Sequence, residues 1–165
     1  MTKVAIIMGS DSDWPVMQKA VTTLKSFGVV PTVRVLSAHR TPDEAASFAK
    51  AAEGEGYCAI IAAAGMAAHL AGAMAAHSQL PIIGVPMESG GMGGLDALLS
   101  TVMMPPGLPV ATVAVGGAVN AAVLAVQIGA LCDKELAEKL RTYRKEMAEK
   151  VLNKDAAIVK AAEEL

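Results

Sequence analysis

Three side chains that could do chemistry together lie in the turn Ser37-Ala38-His39-Arg40-Thr41-Pro42. His39 is a candidate acid–base group, because an imidazole gains and loses its proton near neutral pH. Arg40 supplies a fixed cation whose planar fork suits a phosphate better than a lysine does. Ser37 adds a hydroxyl. The turn therefore predicts a site that binds an anion and moves a proton.

Two alternatives apply to neighbouring residues. Arg40 could instead form a surface ion pair with Asp43 or Glu44. Thr41 and Pro42 are explained as the start of a helix, with Thr41 as N-cap and Pro42 in the first helical position. This capping hypothesis leaves His39 unexplained.

A second polar segment, Gly9–Asp13, precedes another predicted helix. Ser10 and Ser12, with the backbone N–H groups beside them, could cradle an anion at the helix N-terminus. Asp13 could accept hydrogen bonds from a ribose diol. Capping, with Ser12 as N-cap, is the better explanation for either residue alone. Together with Arg40 at the neighbouring strand end, they favour a phosphate site.

A third segment, Gly65–Leu70, follows an apolar run, and its His69 could reach the same crevice, although a lone loop histidine is more often structural. His77 near a helix end is explained by the helix dipole. The sequence contains no HxH or HExxH pairing and no Cys/His cluster, so we expect no metal site. The Walker A and GxGxxG phosphate-binding patterns and the GxSxG nucleophile pattern are also absent.

Composition narrows the function classes. Net charge is −2 and the pI about 5.9, which argues against a nucleic-acid partner. No apolar run reaches the roughly 18 residues of a membrane span, and a strand begins directly after Lys3, so we expect no signal peptide and a cytoplasmic location. Cys58 and Cys132 are expected as buried free thiols. Flavin rings are commonly sandwiched by aromatic side chains, but of the five aromatic residues only Trp14 lies near a predicted ligand loop, which argues against a flavin site.

The candidate residues must be positioned by strands that alternate with helices, which predicts a doubly wound α/β fold with a parallel sheet of about five strands. One domain, 1–165, is expected. Residues 133–165 form a helical C-terminal extension, either solvated or draped on a neighbouring subunit. The predicted strands are Val4–Met8, Val29–Leu36, Ala59–Ala63, Pro81–Pro86 and Pro109–Val115, and the last two helices end near Leu131 and Val151.

These loops resemble those of the class I N5-carboxyaminoimidazole ribonucleotide mutases, the PurE family of purine biosynthesis. The pairing of GSxSD with SAHRTP at this separation is highly specific, and the likeness runs over nearly the whole chain. Its markers are Met8–Trp14, Ser37–Pro42, Ala67–Leu70, Gly84–Pro86 and Gly107–Val113.

The resemblance implies a three-layer αβα, flavodoxin-like subunit in a homo-octamer. The implied reaction moves a carboxylate from N5 to C4 of the aminoimidazole ribonucleotide without metal, ATP or organic cofactor. By family analogy CO2 is released, held in a closed pocket and attacked by C4. The partners are then a small-molecule ribonucleotide and CO2, with no nucleic acid and no membrane.

The resemblance also assigns roles to residues. His39 matches the family's proton carrier, Arg40 and the serines match its phosphate ligands, and Asp13 matches its ribose ligand. The loops Gly65–Ala68 and Gly90–Gly94 would let backbone N–H groups approach the carboxylate or CO2. The implied substrate-binding residues are Ser10, Ser12, Asp13, Ser37, Arg40, Gly65, Ala67, Ala68, His69 and Leu70.

The chain departs from the family pattern in places. The family usually has glycine at the position of Met66 and proline at that of Ala71, and the stretch 115–120 lacks a lysine that is often present. Met66 is expected to fill the pocket or to force a different turn.

Two other functions remain open. The first is a class II enzyme, which would carboxylate aminoimidazole ribonucleotide directly. By family resemblance, class II enzymes carry lysine at the position of Arg40, so Arg40 favours the mutase. A non-catalytic phosphoribosyl-ligand sensor is the other candidate, which Met66 favours.

Overall fold

The computed structural model describes residues 2–165 as five strands and six α-helices, with one 3-10 helix at Asp11–Asp13. The strands are β1 (Lys3–Met8), β2 (Thr32–Val35), β3 (Tyr57–Gly65), β4 (Ile82–Met87) and β5 (Ala111–Thr112). The helices are α1 (Trp14–Ser26), α2 (Pro42–Ala52), α3 (Leu70–His77), α4 (Leu95–Val102), α5 (Ala118–Ala130) and α6 (Lys134–Glu163).

All strand pairs are parallel, and the sheet order is β2-β1-β3-β4-β5. From β1 the chain moves to one side to form β2 and to the other side to form β3, β4 and β5. The direction therefore reverses between β1 and β3, and the carboxyl ends of strands at such a point form a crevice. The predicted doubly wound fold is confirmed.

Each face of the sheet carries its own hydrophobic core, because successive strand residues point to opposite faces. Val4, Ile6 and Ile61 belong to the core under α1 and α5. Ala5 and Ile60 belong to the core under α2 and α3. Both faces are thus covered, which explains why the central strands are continuous apolar runs rather than alternating ones.

Two strands are shorter than the sequence predicts, and a proline lies near the start of each. β2 begins at Thr32, after Pro31, and the N–H of Val29 donates instead to the carbonyl of Leu24 at the end of α1. β5 is reduced to two residues after Pro109. Proline has no N–H to donate to a neighbouring strand, so each strand begins only after its proline. β5 also ends early, at Thr112, ahead of the turn at Val115 and Gly116. The other strand boundaries shift only by a residue or two.

The C-terminal helix α6 is longer than expected, running to Glu163 rather than to Val151. Asp133 caps it by accepting a hydrogen bond from the N–H of Leu136 at 3.1 Å. Leu136 is buried, and the Tyr143 ring lies 5.1 Å from the Phe27 ring. Residues 144–165 are all exposed. The first turns of α6 therefore pack on the domain, and the rest extends beyond it.

Cys58 is half-buried, and burial raises the pKa of its thiol. Cys132 is exposed, so the expectation that both thiols are buried is wrong for this residue. It lies just beyond the C-terminal end of α5, where the chain turns at the surface. Of the helices formed by residues 2–165, none is both long and apolar enough to cross a lipid bilayer.

Candidate active site

A cleft of about 370 Å³ opens at the carboxyl ends of the strands, where the sheet order reverses. Loops after β1, β2 and β3 form its walls, and one residue after β4 completes them. Of the predicted catalytic and substrate-binding residues, all but Ala68 line this cleft, whereas the predicted loop Gly90–Gly94 does not. The lining residues are Gly9, Ser10, Ser12, Asp13, Ser37, Ala38, His39, Arg40, Ala64, Gly65, Met66, Ala67, His69, Leu70 and Ser89.

The loop after β1 is held by a capping box. The Ser10 hydroxyl accepts a hydrogen bond from the N–H of Ser12 at 3.2 Å, and the Asp13 carboxylate accepts one from the N–H of Ser10 at 3.2 Å. Ser10 therefore caps this turn, and the prediction of Ser12 as N-cap is wrong. The Ser12 hydroxyl instead donates to the Ser10 hydroxyl at 2.8 Å. Both hydroxyls stay in the cleft wall.

Asp13 is buried, with 7% of its surface exposed. Burial raises the pKa of its carboxyl, a nearby Asp11 adds to the shift, and the hydrogen bond from Ser10 partly opposes it. Asp13 is the only acidic residue in the described cleft lining. A buried acceptor at the cleft edge suits a hydroxyl-bearing ligand.

The loop after β2 is closed by Thr41. Its hydroxyl accepts a hydrogen bond from the N–H of Ser37 at 2.9 Å and donates to the carbonyl of Ser37 at 3.2 Å. Thr41 occupies the N-cap position of α2, but its hydroxyl makes no capping bond to the helix. The side chain therefore shapes the turn that presents His39 and Arg40.

Arg40 connects the first two loops. Its Nη2 donates to the carbonyl of Gly9 at 2.9 Å, and its Nε lies 3.5 Å from the Ser37 hydroxyl. Within residues 2–165, Arg40 forms no ion pair, so the alternative of a pair with Asp43 or Glu44 is wrong. The guanidinium lies beside the Ser10 loop, as an anion site requires.

His39 and His69 come from different loops and meet in the cleft. The Nε2 of His39 lies 2.9 Å from the Nδ1 of His69, and the two rings are close to perpendicular, at 80°. One ring must donate the proton of this hydrogen bond and the other must accept it. The tautomer of one ring therefore fixes that of the other.

The loop after β3 turns sharply at Met66, whose φ of 54° lies in the left-handed region. The N–H groups of Ala68 and His69 donate back to the carbonyls of Met66 and Ala67, at 2.9 and 2.8 Å. Ala68 is buried and faces away from the cleft, whereas the Met66 side chain is 62% exposed at the rim. Met66 thus forces a turn with a backbone conformation that favours glycine, and its mostly exposed side chain is part of the cleft lining.

Sequence reasoning missed Ser89, which comes from the loop after β4. The signal was present, because Ser89 follows the fourth apolar run as Ser37 follows the second. The glycine-rich run Gly90–Gly94, which the sequence favoured instead, does not line the cleft. Among residues 2–165, no group of three or more His, Cys, Asp or Glu side chains could hold a metal ion.

The comparisons with known proteins agree with this geometry. The family described as AIR carboxylase matches residues 3–150. A relative from Saccharolobus solfataricus, named N5-carboxyaminoimidazole ribonucleotide mutase, is 53% identical over 153 residues, covering 93% of this chain and 97% of the relative. The relative of that name from Escherichia coli K12 is 51% identical over 152 residues, covering 91% and 90%.

Solved structures show the same likeness. The crystal structure of Treponema denticola PurE superposes with a TM-score of 0.87 at 32% identity, covering 94% of this chain and 98% of that chain. The residues matched by the family include all three cleft loops and the whole sheet. The resemblance noted in the sequence is confirmed, and this chain belongs to the AIR carboxylase family.

Proposed function

We propose that this protein is an N5-carboxyaminoimidazole ribonucleotide mutase. It converts N5-carboxyaminoimidazole ribonucleotide to 4-carboxy-5-aminoimidazole ribonucleotide in de novo purine synthesis. The observation that carries the proposal is a hydrogen-bonded pair, His39 and His69, in a cleft whose first two loops are joined by Arg40. Two relatives that carry the mutase name, 53% and 51% identical to this chain over the aligned residues, support it.

The phosphate binds at the side of the cleft formed by the loops after β1 and β2. Arg40 supplies the positive charge, and Ser10, Ser12 and Ser37 supply hydroxyl donors around it. Arg40 is held by its bond to the Gly9 carbonyl, so its fork is oriented before the ligand arrives. Asp13, at the same edge, accepts hydrogen bonds from the ribose hydroxyls.

His39 carries the proton between the two half-reactions. As the bond between N5 and the carboxylate carbon breaks, CO2 leaves and the imidazolium gives its proton to N5. The electrons of C4 then form a bond to CO2, and the neutral imidazole removes the C4 proton. His39 gives one proton to N5 and regains one from C4, so one histidine serves both steps. His69 positions His39 through the bond between the rings.

The remaining lining residues confine the substrate and CO2. Gly65, Ala67 and Leu70 are small or apolar and form the wall beside the histidines, with Ala68 packed behind them. Confinement keeps the released CO2 within reach of C4, which turns a bimolecular recapture into a local one. Loss of CO2 to solvent would otherwise end the cycle.

The assembled protein is proposed to be a homo-octamer of single-domain subunits in the cytoplasm. Several large apolar side chains on and after α4 are exposed on the isolated chain, as expected for a face buried between subunits. They include Leu95, Leu99, Val102 and Met103. The free thiols fit a reducing compartment.

The test replaces His39 by Asn and measures interconversion of the two carboxylated isomers. We expect turnover to be abolished while binding of the ribonucleotide stays measurable, because Arg40 and the serines are untouched. His77→Asn is the matched control, since His77 is exposed at the end of α3, outside the cleft. Normal turnover in the His39 variant would refute the proton-carrier role, and ligand binding without turnover by the unaltered protein would favour the sensor.

A second candidate is direct carboxylation of aminoimidazole ribonucleotide, which the description of the matched family favours. The two reactions share the product and differ in the carboxyl donor. Product formation from aminoimidazole ribonucleotide plus bicarbonate, compared with formation from the N5-carboxylated substrate, separates them. We expect rapid turnover only with the N5-carboxylated substrate.

A further inference from the structure

We propose that the Ser89 hydroxyl donates a hydrogen bond to the carboxylate of the carboxylated ribonucleotide. The inference rests on the proposed function, which supplies that carboxylate. It assigns to the loop after β4 a part in recognising which ribonucleotide occupies the cleft.

The Ser89 hydroxyl is buried without a hydrogen-bond partner among residues 2–165. The residue nevertheless lines the cleft. A buried hydroxyl without a partner is destabilising, so native structures keep few of them, and each needs an explanation. A ligand that completes the hydrogen bond is such an explanation.

Gly65 makes the space for this hydroxyl. A Cβ atom at Gly65 would lie 2.2 Å from the Ser89 Oγ and 3.1 Å from the Ser89 Cβ. The pairing of Gly65 with Met87 brings the end of β4 beside this position. Because Gly65 is itself a wall of the cleft, the hydroxyl lies directly behind the cleft surface.

A rotation about one bond is sufficient to bring the hydroxyl to the ligand. Serine side chains occupy staggered rotamers, and moving between them swings the oxygen by roughly 120°. The Ser89 hydroxyl faces Gly65 and has no partner among residues 2–165. A carboxylate in the cleft supplies the missing acceptor, and it forms a stronger bond than a neutral group would.

Three polar groups close to Gly65 already have partners. The N–H groups of Ala68 and His69 bond to carbonyls of their own turn, and the His69 ring bonds to His39. The sheet order places β4 on the far side of β3 from β1, and therefore away from the Arg40 end. Ser89 is thus placed to meet the end of the ligand opposite the phosphate.

The experiment compares two ligands with the Ser89→Ala protein by titration calorimetry. One ligand is 4-carboxy-5-aminoimidazole ribonucleotide, and the other is aminoimidazole ribonucleotide, which has no carboxylate. We expect the variant to bind the first about 10-fold more weakly or worse, as hydrogen bonds to charged groups imply. Binding of the second should stay within about twofold, since the lost donor has no partner there.

Two further variants sharpen the result. Ser89→Cys keeps a similar shape with a weaker donor, so its affinity for the carboxylated ligand should fall between those of the parent protein and the Ser89→Ala variant. Ser26→Ala is the matched control, because Ser26 is exposed at the end of α1 and its hydroxyl donates to the Thr23 carbonyl, away from the cleft. It should leave both affinities unchanged.

The melting temperature gives an independent readout. Removing a hydroxyl that has no partner should leave the ligand-free protein as stable as before, or more stable. A merely structural hydroxyl would lower the melting temperature on removal, and that result would overturn the proposal. An equal loss for both ligands, or no loss for either, would also overturn it. If the unaltered protein binds neither ribonucleotide, the proposed function itself fails. The other results overturn only the role of Ser89, so the two failures are distinguishable.

Discussion

Replacing Met66 by glycine should stabilise the protein, although it removes a large apolar side chain. Within residues 2–165, Met66 is the only residue other than glycine with a positive φ. Its side chain is 62% exposed, so little packing is lost on replacement. The effect of the change is therefore confined mainly to the backbone.

The magnitude follows from two opposing contributions. The left-handed conformation costs a residue with a Cβ about 1–2 kcal/mol, and glycine adopts it freely. Glycine also increases the conformational entropy of the unfolded chain, which costs roughly 0.5–1 kcal/mol. The net expectation for Met66→Gly is a stabilisation of about 0.75 kcal/mol, within a range of about 0–1.5 kcal/mol, or at the central value a melting temperature about 1.5–3 °C higher for a chain of this length.

Met92 provides a matched control. It is 61% exposed, lies like Met66 in a loop that follows a strand, and its φ is not positive. Met92→Gly should therefore show only the entropic cost, a destabilisation of roughly 0.5–1 kcal/mol. Thermal and urea unfolding of both variants beside the parent protein measure the difference. If Met66→Gly loses as much stability as Met92→Gly, the argument from backbone strain is refuted.

Two further predictions concern the first two loops of the cleft. Burial raises the pKa of the Asp13 carboxyl above 3.8, so the folded state binds the carboxyl proton more tightly than the unfolded state does. This tighter binding stabilises the fold at low pH, and the stabilisation is lost as the pH rises through the raised pKa. Urea midpoints of Asp13→Asn relative to the parent should therefore increase as pH rises above 3.8, and the opposite slope would contradict the burial argument. Thr41→Val removes both hydrogen bonds to Ser37 and should lower the free energy of unfolding in urea by about 1–2 kcal/mol. Thr22→Val, at an exposed helix position, should change it by less than about 0.5 kcal/mol. Equal losses in the two variants would show that the Thr41 hydroxyl does not hold the turn.

Much of the architecture was predictable from local pattern. Continuous apolar runs such as β1 and β4 identify strands covered on both faces, and helices between them imply parallel pairing. The segments that became shorter lie beside Pro31 and Pro109, where the apolar run continues although the backbone cannot pair. Hydrophobicity marks burial, whereas a strand also needs N–H donors.

The candidate site was predictable in its loops but not in its contacts. Sequence position shows that His39 and His69 both follow strands, but their mutual bond depends on sheet order, which brings β2 and β3 to either side of β1. The bond from Arg40 to the Gly9 carbonyl likewise joins residues that are far apart in the sequence. Ser89 was missed for the same reason, because only the register of β3 and β4 places it behind Gly65.

The two outer strands of the sheet have a consequence for how copies of this chain can associate. An open edge strand offers unpaired N–H and C=O groups on which another chain can add a strand, and short edges limit this risk. Here β2 has four residues and β5 has two, each with a proline shortly before it. Edge-to-edge aggregation is therefore discouraged at both margins, because neither edge offers a long unpaired strand on which another chain could add.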